Sequence, residues 1–204
     1  MPRRTLFLLL AAVKIGVLVA IVAPTVPAFS ADGVPSSAPA TATAAAAFAP
    51  SAEAFDQAAA TFRRARDGDR TAIAPARAQF TALLQARPDD PLLLAYAGAA
   101  TAMQARTTWL PWKKIGHAED GLALIDRALA RLTPAHDVEL HHGVPAALET
   151  RLTAAATFLA LPAMFHRGER GRRLLEQVQR DPALAATPAA FREAVQRLAA
   201  KEAA

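Results

Sequence analysis

The chain has 204 residues, 53% of them hydrophobic but much of that alanine, with aromatics at only 6% and no cysteine. That length suits one domain with extensions, and the missing cysteine excludes disulfides and thiol chemistry without excluding an oxidising compartment. The formal charge of +5 invites a nucleic-acid partner, but Arg3, Arg4 and Lys14 precede the first acid, which leaves 20 basic against 18 acidic side chains in the remainder.

Residues 1–31 read as a secretory signal. Arg3 and Arg4 form a positive start, residues 6–13 and 15–23 are apolar around Lys14, and Pro24 and Pro27 then break the helix. Val26 with Ala28, or Ala28 with Ser30, supply the small residues of a cleavage site. The rival is an uncleaved N-terminal anchor, because residues 6–23 barely span a hydrocarbon core. Lys14 in mid-span opposes that rival, since a charge there is costly. Membrane contact is expected only through this segment, and only if it stays uncleaved. Residues 32–51 are rich in Ala, Pro, Ser and Thr and hold no large apolar residue before Phe48. Nothing there offsets the entropy of ordering, so a disordered linker is expected.

Residues 52–204 read as one helical domain. Ser51 caps a helix whose Phe55, Ala58, Ala59 and Phe62 share a face. Asp67-Gly68-Asp69 closes it as a turn. A second helix over about 72–87 presents Ala76, Phe80, Leu83 and Leu84, and Pro88 and Pro91 stop it and start the next. That third helix, 91 to about 106, turns Leu94, Ala97, Gly98 and Thr101 inward. A glycine inside a helix costs about 1 kcal/mol relative to alanine, so Gly98 predicts a close helix approach.

A phrase recurs along this body: Ala76-x3-Phe80-x2-Leu83-x4-Pro88, then Gly121-x3-Ile125-x2-Ala128 before Pro134, then Arg170-x3-Leu174-x2-Gln177-x4-Pro182. The closing prolines stand 46 and 48 residues apart. A recurrence of that length predicts stacked helix pairs. Ala76, Phe80, Leu83 and Pro88, followed by Leu94 and Gly98, resemble tetratricopeptide repeats. The resemblance implies an all-α fold of stacked antiparallel helix hairpins. The long period departs from the 34-residue repeat of that family and approaches the 40 to 47 residues of HEAT repeats.

The extra length falls at residues 107–114 and 136–145. Between them a helix over about 114–131 carries Ile115, Leu122, Ile125 and Leu129. Residues 148–165 are the most apolar part; their uncharged run, 152–165, is 14 residues and contains Pro162, too short to span a membrane and suited to a buried helix. Gly168 leads into a helix over 169–180 with Leu174, Leu175 and Val178 inward, and Pro188 starts a last one with Phe191, Val195 and Leu198 inward. The only basic cluster, Arg167, Arg170, Arg172 and Arg173, is interrupted by Glu169. Duplex binding needs a continuous basic stripe, so this reads as a solvated helix face and nucleic acid is not an expected partner. The segments Arg106-Thr-Thr-Trp-Leu-Pro-Trp-Lys-Lys and Leu161-Pro-Ala-Met-Phe-His-Arg167 also resemble an uncharacterised bacterial family of exported, repeat-like proteins. That likeness implies export and fold, and no chemistry.

Candidate sites are few. Trp109 and Trp112 are the only tryptophans, and Lys113 and Lys114 adjoin them. Aromatics beside cations suit a partner surface; the other reading is that the indoles fill an irregular helix junction. His136, His141 and His142, with Asp137 and Glu139, form the one metal-like cluster. It carries no recognised zinc motif, and a polar connection between helices is the plainer reading. His117 and His166 are isolated. No serine follows Ser51, which removes the nucleophile of a serine hydrolase, and no glycine-rich phosphate loop occurs. Glu119-Asp120 and Asp89-Asp90 are expected at helix starts, favouring the dipole. The sequence therefore predicts a non-catalytic protein-interaction or scaffolding module of the bacterial envelope, periplasmic or secreted, without a cofactor. Its expected contact is an envelope protein or peptide at Trp109, Trp112, Lys113 and Lys114. The alternative is a metal-binding protein or metal-dependent enzyme using residues 136–142.

Overall fold

The computed structural model describes residues 52–203. The expected signal, the linker and the Ser51 cap lie outside the described residues. The order is α1 (Ala52–Arg66), α2 (Ile73–Ala86), α3 (Pro91–Met103), α4 (Pro111–Ala130), the single turn α5 (Ala135–Val138), β1 (Leu140–His141), β2 (Val144–Pro145), α6 (Ala146–Ala160), α7 (Gly168–Arg180) and α8 (Ala189–Ala203). Short 3-10 turns at Arg70–Ala72, Gln104–Arg106, Ala163–Phe165 and Pro182–Ala186 link the helices. The fold is all-α apart from one two-stranded ladder. That ladder pairs Leu140 with Pro145 and His141 with Val144, antiparallel.

Polar caps set several boundaries. Asp90 accepts from the N–H groups of Leu92 at 2.9 Å and Leu93 at 3.1 Å, and Pro91 follows it at the first helical position of α3. Asp69 accepts from Thr71 through N–H at 2.9 Å and hydroxyl at 2.6 Å, and pairs with Arg64 at 2.7 Å. Pro162 follows the end of α6, so the long apolar run breaks there and only Ala146–Ala160 is α-helix.

The core runs on from one helix to the next. Phe55 and Phe62 of α1, Phe80 of α2 and Tyr96 of α3 form one aromatic cluster. Phe80 stacks on Tyr96 with ring centroids 4.7 Å apart, and Phe62 meets both rings edge-on. A second cluster is aliphatic: Val144, Leu148, Leu175, Val178 and Val195 draw together β2, α6, α7 and α8. Between them, Leu122 and Ile125 of α4 pack on Ala154 and Phe158 of α6. The central element is α3, which packs on α2, α4 and α6. It buries Leu92, Leu93 and Leu94 on successive positions, so it is apolar all round, as an enclosed helix must be. Composition had pointed to residues 148–165 for that role. The difference arises because α3 is shielded by helices on several sides, whereas Arg151 and Leu159 of α6 stay half-exposed.

Glycines fix the closest crossings. A Cβ on Gly98 would lie 2.7 Å from the Gly121 carbonyl oxygen, and one on Gly121 would lie 2.5 Å from that of Gly98. α3 and α4 thus meet backbone to backbone, which accounts for a glycine inside α3. Gly171 of α7 instead makes room for side chains of α6: a Cβ there would lie 2.8 Å from Leu159 Cγ and 3.1 Å from Phe158 Cβ.

The recurring phrase needs one correction. Ala76, Phe80 and Leu83 are buried on α2, and Gly121, Ile125 and Ala128 on α4. On α7 the buried set is Gly171, Leu175 and Val178, one position later than Arg170, Leu174 and Gln177. The small residue of the phrase stands where a helix crosses its neighbour closely. Arg170 is too large for that place, and Gly171 fits it.

Candidate functional site

The segment between α3 and α4 projects from the body. Arg106 holds its start by donating to the Ala65 carbonyl at 3.3 Å. The Thr108 hydroxyl accepts from the Leu110 N–H at 3.3 Å, and Pro111 opens α4. Trp109 is 82% exposed and Trp112 66%. Lys113, Lys114 and Ile115 beside them are exposed too. The reading of the indoles as junction filler is thereby corrected. Gln104–Arg106 continues α3 as a tight turn, and both indoles lie beyond it in water. The first turn of α4 has no side-chain cap, because Leu110 occupies that position. Its free N–H groups add positive potential to the two lysines.

The histidines are dispersed in role. His136 accepts from the Thr133 N–H at 3.0 Å and lies 3.0 Å from the Thr133 hydroxyl, closing the turn before α5. His142 and Gly143 form the two-residue loop of the small ladder, with φ of 50° and 78°. Two positive φ values are what a tight hairpin turn of this hand demands. His142 Nε2 lies 2.6 Å from Asp56 Oδ1, and His141 Nε2 lies 3.5 Å from Glu139 Oε1. Both rings pack near Phe55, at centroid distances of 5.4 and 6.3 Å. The segment 136–142 is thus divided between α5 and the first half of a hairpin, residues 140–145, seated on α1. Among the described residues no group of three His, Asp or Glu side chains is placed to hold a metal ion.

Below that hairpin lies a pair that sequence spacing did not bring together. The Tyr96 hydroxyl donates to Glu149 Oε1 at 2.5 Å, across 53 positions. Burial pushes the Glu149 carboxyl above its ordinary 4.5, against the lowering pull of the Tyr96 hydroxyl and of His141, His142 and Arg63. Burial, then the charge of Glu149, drives the Tyr96 hydroxyl well above 10.0. Tyr96 is the only tyrosine in the chain, which is the one signal that marks it in advance. The pair joins α3 to α6 with its polar groups satisfied.

Two further charge expectations change. Glu119 and Asp120 sit in the middle of α4, because that helix begins at Pro111 and not near residue 114. Arg167 and Arg170 are not a free solvated face. Both grip Asp126 of α4, Arg167 at 3.0 Å, and both guanidinium groups lie over the Phe158 ring at 5.6 and 5.3 Å. Arg172 pairs with Glu169, and its Nε lies 3.9 Å from Glu202. Three of the four arginines thus have partners within the fold, and Arg173 is exposed.

Comparison with known proteins finds no matching protein-family model, no matching curated protein and no matching solved structure. The tetratricopeptide resemblance therefore stands on Ala76, Phe80, Leu83, Pro88, Leu94 and Gly98 alone.

Proposed function

We propose that this chain is a non-catalytic protein-interaction or scaffolding module of the bacterial cell envelope, periplasmic or secreted. Its contact surface is Trp109, Trp112, Lys113 and Lys114, and its partner is an envelope protein or peptide. The observation that carries this reading is the exposure of both tryptophans, at 82% and 66%. Indoles gain most by leaving water, and exposed aromatics beside cations are the residues that dominate protein contacts. Consecutive helices packed side by side, with buried small-x3-large-x2 sets on α2, α4 and α7, support a stacked-pair scaffold. The absence of cysteine, and of serine beyond Ser51, supports a role without nucleophilic catalysis.

The test is a photo-crosslinking residue placed at position 109 in cells, with exposed Gln196 on α8 as control. An envelope protein captured from position 109 and not from 196 is the expected result. Identical products from both positions would remove the surface from consideration.

A further inference from the structure

We propose, resting on the interaction reading above, that the partner presents an acidic, extended peptide segment. It lies in a trough between α2 and α4 that reaches Gln104, five positions before Trp109. Three helix faces build the trough. Arg77, Thr81 and Leu84 of α2 form one wall, Ala97 and Thr101 of α3 the floor, and Asp120, Leu124 and Arg127 of α4 the other wall. The hollow measures about 490 Å³. A second hollow of about 380 Å³ shares Arg77 and Thr81 and continues along α2 to Gln104. Gln104 begins the turn that leads to Trp109. Alanines keep these walls low, Ala78 and Ala82 on α2 and Ala123 on α4, so a peptide backbone can approach closely.

The charge of the trough names its occupant. Lys113, Asp120 and Arg127 recur at seven-residue spacing along one face of α4. Arg77 faces them from α2. Asp120 is the only carboxylate lining either hollow, against two arginines, and residues 91–118 contain no acid at all. Among the described residues neither Arg77 nor Arg127 makes an ion pair. Arg77 reaches the Gln104 side chain at 3.4 Å and Arg127 the Pro88 carbonyl at 3.1 Å. Each guanidinium keeps free donors in a fork that suits carboxylates. The Thr101 hydroxyl is committed to the Ala97 carbonyl at 2.7 Å, so the free cations decide what is held. From Lys113 to Arg127 the helix rises about 21 Å at ~1.5 Å per residue, which roughly six extended residues would span. Arg77 and Arg127 are themselves exposed, at the open walls of two hollows that follow one another along α2. The concave, elongated form favours a peptide.

The two tryptophans of the chain both stand in residues 109–114, so indole emission reports this surface alone. The experiment selects a random twelve-residue peptide library on the intact protein and measures the enriched peptides by tryptophan emission. The expected sequences carry two or more Asp or Glu side chains with an apolar residue between them. They shift the emission, and they lose at least tenfold in affinity in the Arg77→Glu/Arg127→Glu variant with unchanged circular dichroism. Enriched sequences without acids, or acidic ones that bind that variant equally well, overturn the proposal while the interaction reading stands. Vesicles of phosphatidylglycerol in phosphatidylcholine that shift the emission, with no acidic peptide enriched, overturn it in favour of a lipid surface. A library yielding no binder overturns it as well, and failure of crosslinking at position 109 in the same cells then breaks the interaction reading too.

Discussion

The aromatic residues of this protein divide into two regions that obey opposite rules. Phe55, Phe62, Phe80 and Tyr96 converge between α1, α2 and α3, with Phe80 fully buried. Trp109 and Trp112, the largest side chains in the chain, stand in water a few residues beyond α3. The phenylalanines lie at helical phase with other apolar positions, so forming the helix delivers them to the core. The tryptophans lie where that phase lapses, between the 3-10 turn after α3 and the first turn of α4. Folding alone gives no reason to keep two large apolar rings there; the proposed partner contact would supply one.

The largest effect is expected from Phe80→Ala. Phe80 touches Phe55, Phe62 and Tyr96, and truncating a buried phenylalanine costs about 3 to 5 kcal/mol. Urea unfolding measures it, and a loss well under 1 kcal/mol would mean the cluster does not hold the N-terminal helices together.

A smaller effect concerns the polar tip of the same cluster. The Glu149 carboxyl is raised above 4.5 by burial, so the folded state holds that proton more tightly than the unfolded chain does. The stabilisation is fully present below the unfolded value and is lost as pH rises through the folded one. Glu149→Gln keeps an acceptor for the Tyr96 hydroxyl and removes this titration. Its unfolding midpoint should therefore vary less between pH 4 and 7 than that of the parent. Parallel curves for the two proteins would show that Glu149 contributes nothing to the pH dependence.

The smallest effect is expected from the outer region. Trp109→Ala and Trp112→Ala should each change stability by no more than about 0.5 kcal/mol, as exposed positions do. Both should abolish capture of the partner by a crosslinker at position 113. A drop of several kcal/mol from either would move that indole to the inner region and leave the contact surface without its anchors.

Most of the helices were legible because they repeat apolar residues at helical spacing and are bounded by proline or glycine. Asp90 with Pro91, and Pro188 ahead of α8, are boundaries of this kind. Gly98 announced a close crossing, since a helix tolerates an interior glycine at a cost that packing must offset. The hairpin at residues 140–145 was not legible. Two-residue strands have no periodicity, and His142-Gly143 is a weak turn signal beside Asn-Gly or Asp-Gly. On α7 Leu175 and Val178 are inward as their phase predicts, but the recurring phrase aligns on Arg170 where the fold uses Gly171, and only the approach of Leu159 shows which of these neighbours faces inward.

Of the candidate surface, the sequence by itself determined which residue types stand together at 109–114. It also determined that no serine nucleophile lies beyond Ser51 and that no thiol exists. The tertiary structure alone decided that the indoles face water, that Arg167 and Arg170 turn onto Asp126, and that Tyr96 meets Glu149. The reason is physical. Helix formation depends on neighbours within a few positions, which a linear reading contains. Burial and charge pairing depend on which helix faces meet across 41 or 53 positions, as for Arg167 with Asp126 and Tyr96 with Glu149. That is settled by packing, where a glycine and a side chain compete for the same few ångströms.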